Sequence, residues 1–348
     1  MAPYPETHAI LAQAEKELEW PAPEEILDPG GGAARFWLRQ VRGKLGSVLQ
    51  RLCPQAQPDL GVLVSADREN NAAELVAIVG IFRTSPDEAA LRAILDAAWN
   101  FVRAPLCVVV DRQQVRAWSC WEQPSATAEK ETPPLSVHSF SDPEAETAQL
   151  FHWMALATGQ LLERYPERFQ PERRADRLLL ENLREVRSRF LEECPERPPL
   201  ADSLIHRLLG RLVFAQYLFQ RRDFAGEAVL KPETLRDLLG EAAPTPPPTD
   251  LEGVLRSKET AYRLFRWLAD RLGGDTLEPD GAGDDAEAAW RAEMALVQDS
   301  HLTLLAEFVG GMLRLRDGQR LLWSAYALDA IPLDFLSRLY EEFVRPGS

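Results

Sequence analysis

The sequence has few cysteines and no long apolar run. Its cysteines, Cys53, Cys107, Cys120 and Cys194, are widely spaced and form no Cys-x-x-Cys pair. They indicate neither a zinc site nor a disulfide framework, so we expect mostly buried thiols in a cytoplasmic protein. No apolar stretch approaches the roughly 18 residues that a membrane-spanning helix needs, and we expect no membrane partner. The N-terminus carries acids where a secretory signal has a basic start, which argues against export.

Basic residues are the minority among the charged ones. The chain has 39 Lys and Arg against 54 Asp and Glu, a formal net charge of −15 over 348 residues. This balance argues against a protein that binds nucleic acid or an anionic membrane with its whole surface, but it leaves room for a local basic face. The hydrophobic content of 45% is that of a globular protein, and the length suits about two domains.

Motifs for phosphate, cofactor or metal binding are missing. Gly30, Gly31 and Gly32 precede a predicted helix, but no strand leads into them and no Lys-Ser/Thr follows, so we interpret them as a flexible loop. None of the five histidines has a matched nucleophile or second ligand in the sequence: His8 and His138 lie in polar tails, and His152, His206 and His301 lie on predicted helices. We therefore expect no metal and no cofactor bound by this chain.

Shifts in composition predict four segments. Glu122–Gln149 is rich in Pro, Ser, Thr and Glu and has no apolar periodicity, which is typical of a linker. Two further polar stretches, Glu241–Asp250 and Asp275–Glu287, are predicted to be loops. The predicted segments are an N-terminal tail over 1–32, an α/β domain over 33–121, the linker over 122–149 and a helical domain over 150–348.

The predicted elements give the fold class α+β, a small α/β sandwich followed by a mostly helical domain. In the first domain the order is α-β-β-α-β-β. Its elements are a helix over Ala33–Cys53 with the apolar face Trp37, Val41, Leu45, Val48, Leu49 and Leu52, strands Asp59–Ser65 and Glu74–Phe82, a helix from Ser85 to Pro105, and strands Leu106–Val110 and Val115–Trp121. Helices predicted later in the chain include Glu233–Leu239, Leu251–Leu272, Ala289–Met312 and Leu333–Val344.

The order of elements resembles the core of the PD-(D/E)xK nucleases. In that family an Asp and a Glu on adjacent strands hold a divalent ion, and a Lys two residues after the Glu assists hydrolysis. Asp59 and Glu74 match the two acids in type and order, but Val76 stands where the lysine belongs. We therefore expect no catalytic residues here, and a weak nuclease built on Asp59 and Glu74 stays an alternative.

Four segments together resemble the N-terminal region of large, type IIG-like N6-adenine DNA methyltransferases. Such enzymes belong to bacterial restriction-modification and phage-defence systems. The segments are Ala98–Trp118, Leu208–Arg222 (LLGRLVFAQYLFQRR), Tyr262–Asp280, and Gly318–Val344 with its Ile331-Pro332 and Leu339-Tyr340-Glu341. The sequence departs from the family at Gln220, where an acid is usual, at Leu272-Gly273-Gly274 and at Tyr326-Ala327-Leu328. The resemblance covers about Asp59 to Val344.

The resemblance implies a DNA-positioning scaffold without the catalytic part. The given sequence stops at Ser348, where family members continue into a domain with the S-adenosylmethionine loop and the Asn-Pro-Pro-Tyr tetrad. S-adenosylmethionine binding and methylation are therefore expected only from a further domain, in cis or in trans, against which Tyr340, Glu341 and Phe343 would pack. The candidate DNA contacts are the basic residues of two predicted helices: Arg35, Arg39, Arg42, Lys44, Arg207, Arg211, Arg221 and Arg222.

A different class of function is also compatible with the sequence. The charge of −15 suits a helical protein-interaction module that binds a protein partner in a defence complex without contacting DNA. A fragment or relic of a longer reading frame is a third interpretation. Salt-dependent binding to duplex DNA favours the scaffold, whereas salt-insensitive binding to a protein favours the interaction module.

Overall fold

A computed structural model describes residues 5–55, 57–65, 74–124, 132–192, 200–222, 227–240, 244–273, 277–313 and 323–331. The chain divides into two compact units. The first is Met1–Leu178 with Ala330–Pro332, and the second is Leu179–Asp329 with Leu333–Ser348. The predicted α+β class is confirmed, with the sheet in the N-terminal half and helices dominating the rest.

The first unit contains a five-stranded sheet and short and long helices. In chain order its elements are α1 Pro5–Leu18, α2 Pro23–Leu27, α3 Gly32–Leu52, β1 Asp59–Ser65, β2 Glu74–Ile81, α4 Glu88–Phe101, β3 Leu106–Val110, β4 Gln114–Ser119, β5 Ser136–Ser139, α5 Ala145–Phe151, α6 Trp153–Ala157 and α7 Gln160–Arg164. The strands lie in the order β1-β2-β3-β4-β5. Only β2 and β3 pair in parallel, and α4 makes the crossover that a parallel pair needs.

Helices cover both faces of the sheet, and two glycines allow them to approach closely. A Cβ at Gly61 of β1 would lie 2.6 Å from the Ile26 side chain of α2. On the opposite face, a Cβ at Gly80 of β2 would lie 2.2 Å from Ile94 of α4. Residues of β1 also pack against α3, which in turn packs against α4. The first unit is therefore a sandwich of helices on both sides of a mixed sheet.

The N-terminal segment 1–32 differs from the expected tail. It forms α1 and α2, whose residues Ile10, Leu11, Leu18 and Ile26 are buried in the core of the sandwich. These residues follow helical spacing, but the prolines and acids around them give the segment a polar composition. The polar composition of the segment therefore outweighed the helical spacing of its apolar residues in the sequence prediction.

The expected linker Glu122–Gln149 also differs from the prediction. Its second half supplies β5, which pairs antiparallel with β4, and it buries Leu135, His138 and Phe140. The division into compact units instead falls between Leu178 and Leu179. A strand of four residues with two serines has too little apolar patterning to be recognised without its partner strand.

The second unit is built from helices in its described residues. These are α8 Ala175–Glu192, which begins in the first unit, α9 Asp202–Gln220, α10 Pro232–Leu239, α11 Leu251–Leu255, α12 Lys258–Leu272, α13 Ala282–Leu296 and α14 Asp299–Val309. The predicted apolar stripe of α8 is buried, from Leu179 to Phe190. None of the helices in the described ranges is long and apolar enough to cross a membrane.

Two long predicted helices are each interrupted by a capping residue. The stretch Leu251–Leu272 breaks between α11 and α12, where the Ser257 side chain accepts a hydrogen bond from the backbone N–H of Thr260. The stretch Ala289–Met312 breaks at Gln298, which forms a capping box with His301 at the start of α14. Apolar periodicity continues across both breaks, so periodicity alone did not reveal them. The predicted helix Leu333–Val344 lies outside the described residues.

The cysteines are packing residues where the structure describes them. Cys107 and Cys120 are buried and Cys53 is half-buried, whereas Cys194 lies outside the described residues. Burial raises the pKa of Cys107 to about 12. A thiol with so high a pKa is not a thiolate nucleophile at neutral pH.

Candidate nucleic-acid interface

Helix α3 contains basic residues and no acidic residue. No acidic residue occurs between Asp28 and Asp59, although the chain holds 54 acids. The basic residues of α3 are Arg35, Arg39, Arg42, Lys44 and Arg51. This absence of acids could have been found in the sequence, and it makes α3 the clearest local basic element of an acidic protein.

The core face of α3 is displaced from the predicted one. Leu38, Val41, Leu45, Val48 and Leu49 are buried, as expected for all of these except Leu38. The predicted core residues Trp37 and Leu52 lie outside the core, since Trp37 is only half-buried and Leu52 is exposed. The predicted and the observed core residues both fit an apolar stripe about 100° wide on a helix. The 3.6-residue periodicity alone therefore could not decide between them.

Arg35 and Arg39 lie on the solvent side of α3. Both are exposed, and within the described ranges neither guanidinium forms an ion pair or a hydrogen bond. They are four residues apart, which is roughly 6 Å along the helix axis. Phe36 between them is 54% exposed and contacts Trp37 edge to face. The sequence prediction included the two arginines and missed the exposed phenylalanine.

Arg42 and Lys44 have structural partners instead. The Arg42 guanidinium donates to the carbonyl oxygens of Leu27 at 2.7 Å and Leu60 at 3.0 Å, and so ties α2 and β1 to α3. Lys44 Nζ donates to the carbonyl oxygen of Ile331 at 2.9 Å, within the first unit. These two cations add to the field of α3, but their hydrogen bonds hold the unit together.

Arg207 and Arg211 of α9, two of the predicted DNA contacts, form ion pairs within the second unit. The Arg211 side chain is completely buried and pairs with Glu293. Arg207 is 12% exposed and makes two hydrogen bonds of 2.7 and 2.8 Å to the Asp280 carboxylate. Glu293 is 82 residues away from Arg211 along the chain, so no local pattern could have revealed the pair.

Arg221 and Arg222 lie where α9 ends. Arg221 is exposed, its Cζ lies 5.4 Å from the centroid of the Tyr217 ring, and it donates to the Tyr217 hydroxyl at 2.6 Å. Arg222 is half-buried. The exposed arginine remains a candidate contact of the second unit, although its guanidinium already rests on an aromatic ring.

The two acids of the nuclease alternative lie far apart. In the β1–β2 hairpin Asp59 pairs with Ile81, whereas Glu74 pairs with Ser65 at the opposite end. The six residue steps between positions 59 and 65 correspond to roughly 20 Å of strand. The Asp59 carboxylate also accepts a 2.6 Å hydrogen bond from the Thr7 hydroxyl of α1. The structure therefore does not bring Asp59 and Glu74 together as ligands of one ion.

The described residues contain no cluster of three or more His, Cys, Asp or Glu side chains placed to hold a metal ion. Two of the histidines have local structural roles. His152 Nδ1 accepts the backbone N–H of Met154 at 3.2 Å, and His301 Nδ1 accepts that of Gln298 at 2.9 Å. His138 was expected in a polar tail but is buried in β5.

The structure joins two of the segments that carry the methyltransferase resemblance. Gln220, at the end of α9, donates to the carbonyl oxygen of Tyr326 at 2.9 Å and accepts from the backbone N–H of Leu328 at 2.7 Å. Asn182 of α8 donates to the Tyr326 hydroxyl at 2.8 Å. Two of the departures from the family pattern, Gln220 and Tyr326–Leu328, are thus hydrogen-bond partners. The residues Tyr340, Glu341 and Phe343 lie outside the described residues.

Comparison of the chain with known protein families, with curated proteins and with solved structures found no match.

Proposed function

We propose that the chain positions DNA for N6-adenine methylation in a restriction-modification or phage-defence system of the bacterial cytoplasm. In this proposal the methyltransferase domain and its S-adenosylmethionine are supplied in cis or in trans. The observation that carries the proposal is the solvent face of α3, where Arg35 and Arg39 are exposed and form no ion pair with any residue that the structure describes, on a helix without acids. An acid-free cationic face in a protein of charge −15 is complementary to a polyanion.

The geometry of α3 suits contacts with the DNA backbone. Two guanidiniums about one helical turn apart can reach neighbouring phosphates of one strand. Phosphate contacts fix the position and orientation of a duplex and carry no sequence information, which is what a scaffold beside a catalytic domain requires. The opposite side of α3 packs against β1 and α4, so the arginines stand on a rigid element.

The test is the salt dependence of duplex binding, measured by fluorescence anisotropy between 50 and 200 mM salt. We expect the double variant Arg35→Gln, Arg39→Gln to bind more weakly and to reduce the slope of log K against log salt by about 2, because each phosphate contact contributes about 0.9. The matched control is Arg256→Gln, Arg263→Gln. Arg256 is exposed and Arg263 is half-buried, and each pairs with a glutamate four residues earlier, so the control changes net charge equally but should leave the slope unchanged.

Two results would contradict the proposal. One is the absence of DNA binding at 50 mM salt, and the other is an identical slope for the wild type and the α3 double variant. Salt-insensitive association with a protein component of the same system, without DNA binding, would support the interaction module instead.

A further inference from the structure

Phe36 is placed unusually for a large apolar side chain. It is 54% exposed and lies between Arg35 and Arg39 on the solvent side of α3. A single exposed apolar residue needs no explanation by itself. Here, however, the ring lies on an acid-free helix beside two exposed guanidiniums that form no ion pair with any described residue, and single-stranded nucleic-acid sites combine aromatic rings with basic residues in this way.

The ring geometry leaves room for a stacked partner. The Phe36 and Trp37 ring centroids are 5.2 Å apart and their planes make an angle of 70°. In such an edge-to-face pair Trp37 covers at most one face of the Phe36 ring. Around the helix, position 39 lies about 40° from position 35 and about 60° from position 36, so the three side chains span about 100° of the exposed side of α3.

We infer that α3 binds DNA with unpaired bases, one base stacking on Phe36 while Arg35 and Arg39 hold the phosphates that flank it. This inference rests on the proposed function and specifies the form of the DNA. In an intact duplex both faces of each base are covered by neighbouring bases, whereas an unpaired base offers its face to an aromatic ring. Stacking of this kind tolerates any base, as a positioning surface requires.

The experiment compares a mixed-sequence single-stranded oligonucleotide with the corresponding duplex. The Phe36→Leu variant keeps an apolar side chain and removes the ring. We expect its affinity for the single strand to fall about 5- to 150-fold, while its affinity for the duplex changes less than about twofold. The Phe36→Tyr variant keeps the ring and should restore single-strand binding. The control on the same helix is Leu52→Ala, at another exposed apolar position, which should change neither affinity.

The outcomes separate this inference from the proposed function. If the Arg35, Arg39 double variant loses DNA binding but Phe36→Leu keeps full affinity for the single strand, the scaffold proposal stands and the stacking inference is wrong. Equal losses for single strand and duplex in Phe36→Leu also overturn it, since a ring inserted into a duplex acts in that way. Thermal unfolding of each variant checks that the fold is intact.

Discussion

Glu293 of α13 is the counter-charge of a fully buried arginine, and its removal should destabilise the second unit strongly. Arg211 Nη2 donates to Glu293 Oε2 at 3.2 Å, and Arg211 Nε donates to the carbonyl oxygen of Leu277 at 2.9 Å. Arg211 Cζ lies 4.6 Å from the centroid of the Trp290 ring. The Tyr262 hydroxyl donates to Glu293 Oε1 at 3.2 Å. Glu293→Ala therefore deprives two buried groups of their acceptor.

The expected loss follows from the burial of both charges. Arg211 is 0% exposed and Glu293 is 4% exposed, and removing one partner of such a pair costs about 3–5 kcal/mol. Arg207 Nε lies 3.5 Å from Glu293 Oε2, so the substitution also leaves two guanidiniums facing each other. For a unit of about 170 residues the melting temperature changes by about 2–4 °C per kcal/mol, which predicts a decrease of about 6–20 °C.

Thermal and urea unfolding followed by circular dichroism measure this loss. The control is Glu259→Ala, because Glu259 is 61% exposed and pairs with Arg263 at 3.3 Å, and it should change stability by less than about 0.5 kcal/mol. The double variant Arg211→Met, Glu293→Leu removes both charges and should regain most of the loss. If Glu293→Ala changes the free energy of unfolding as little as Glu259→Ala does, the predicted destabilisation is wrong.

Two further substitutions have defined outcomes. Burial raises the pKa of Asp96 to about 6 despite the nearby Arg92, so the ionised carboxyl destabilises the fold as pH rises from about 4 through 6. Asp96→Asn should therefore be about 1–2 kcal/mol more stable than wild type at pH 7.5 and equal to it near pH 4, in urea titrations at both values. In Gln220→Glu the new carboxylate can accept a hydrogen bond from the Leu328 N–H, but it cannot donate one to the Tyr326 carbonyl. The substitution should therefore lower the free energy of unfolding by about 2–3 kcal/mol at pH 7.5. A change in melting temperature below about 1 °C would contradict that expectation.

The parts of the fold that are encoded locally could be predicted. The strands β1 and β3 have the predicted bounds, Asp59–Ser65 and Leu106–Val110, because each is an apolar run between turn-forming residues. The strand β5 was missed, since its four residues gain their stability from pairing with β4. Helix α1 was missed because the segment 1–32 that contains it is rich in prolines and acids, and this composition is that of a polar tail.

At the candidate site, too, the sequence predicted residue types but not their burial or spatial arrangement. Arg39 and Arg211 are the same residue type on two amphipathic helices, yet one is exposed and the other is 0% exposed. The difference is decided by Glu293 and Trp290, which come from a distant part of the chain. The hairpin register likewise separates Asp59 from Glu74, although both flank strands that pair with each other. Exposure and register are tertiary properties, so residue type and spacing could only propose candidates.

The net charge of −15 is compatible with DNA binding at α3 because electrostatic interactions are local at physiological salt. The Debye length is about 8 Å at 0.15 M ionic strength, so exposed acids farther away are largely screened from DNA held at the Arg35 and Arg39 side chains. The nearest acids along the chain, Asp28 and Asp59, both act on Arg42, where they oppose the lowering of its pKa by burial. In the proposed complex, acids beyond the Debye length do not prevent DNA from binding at α3.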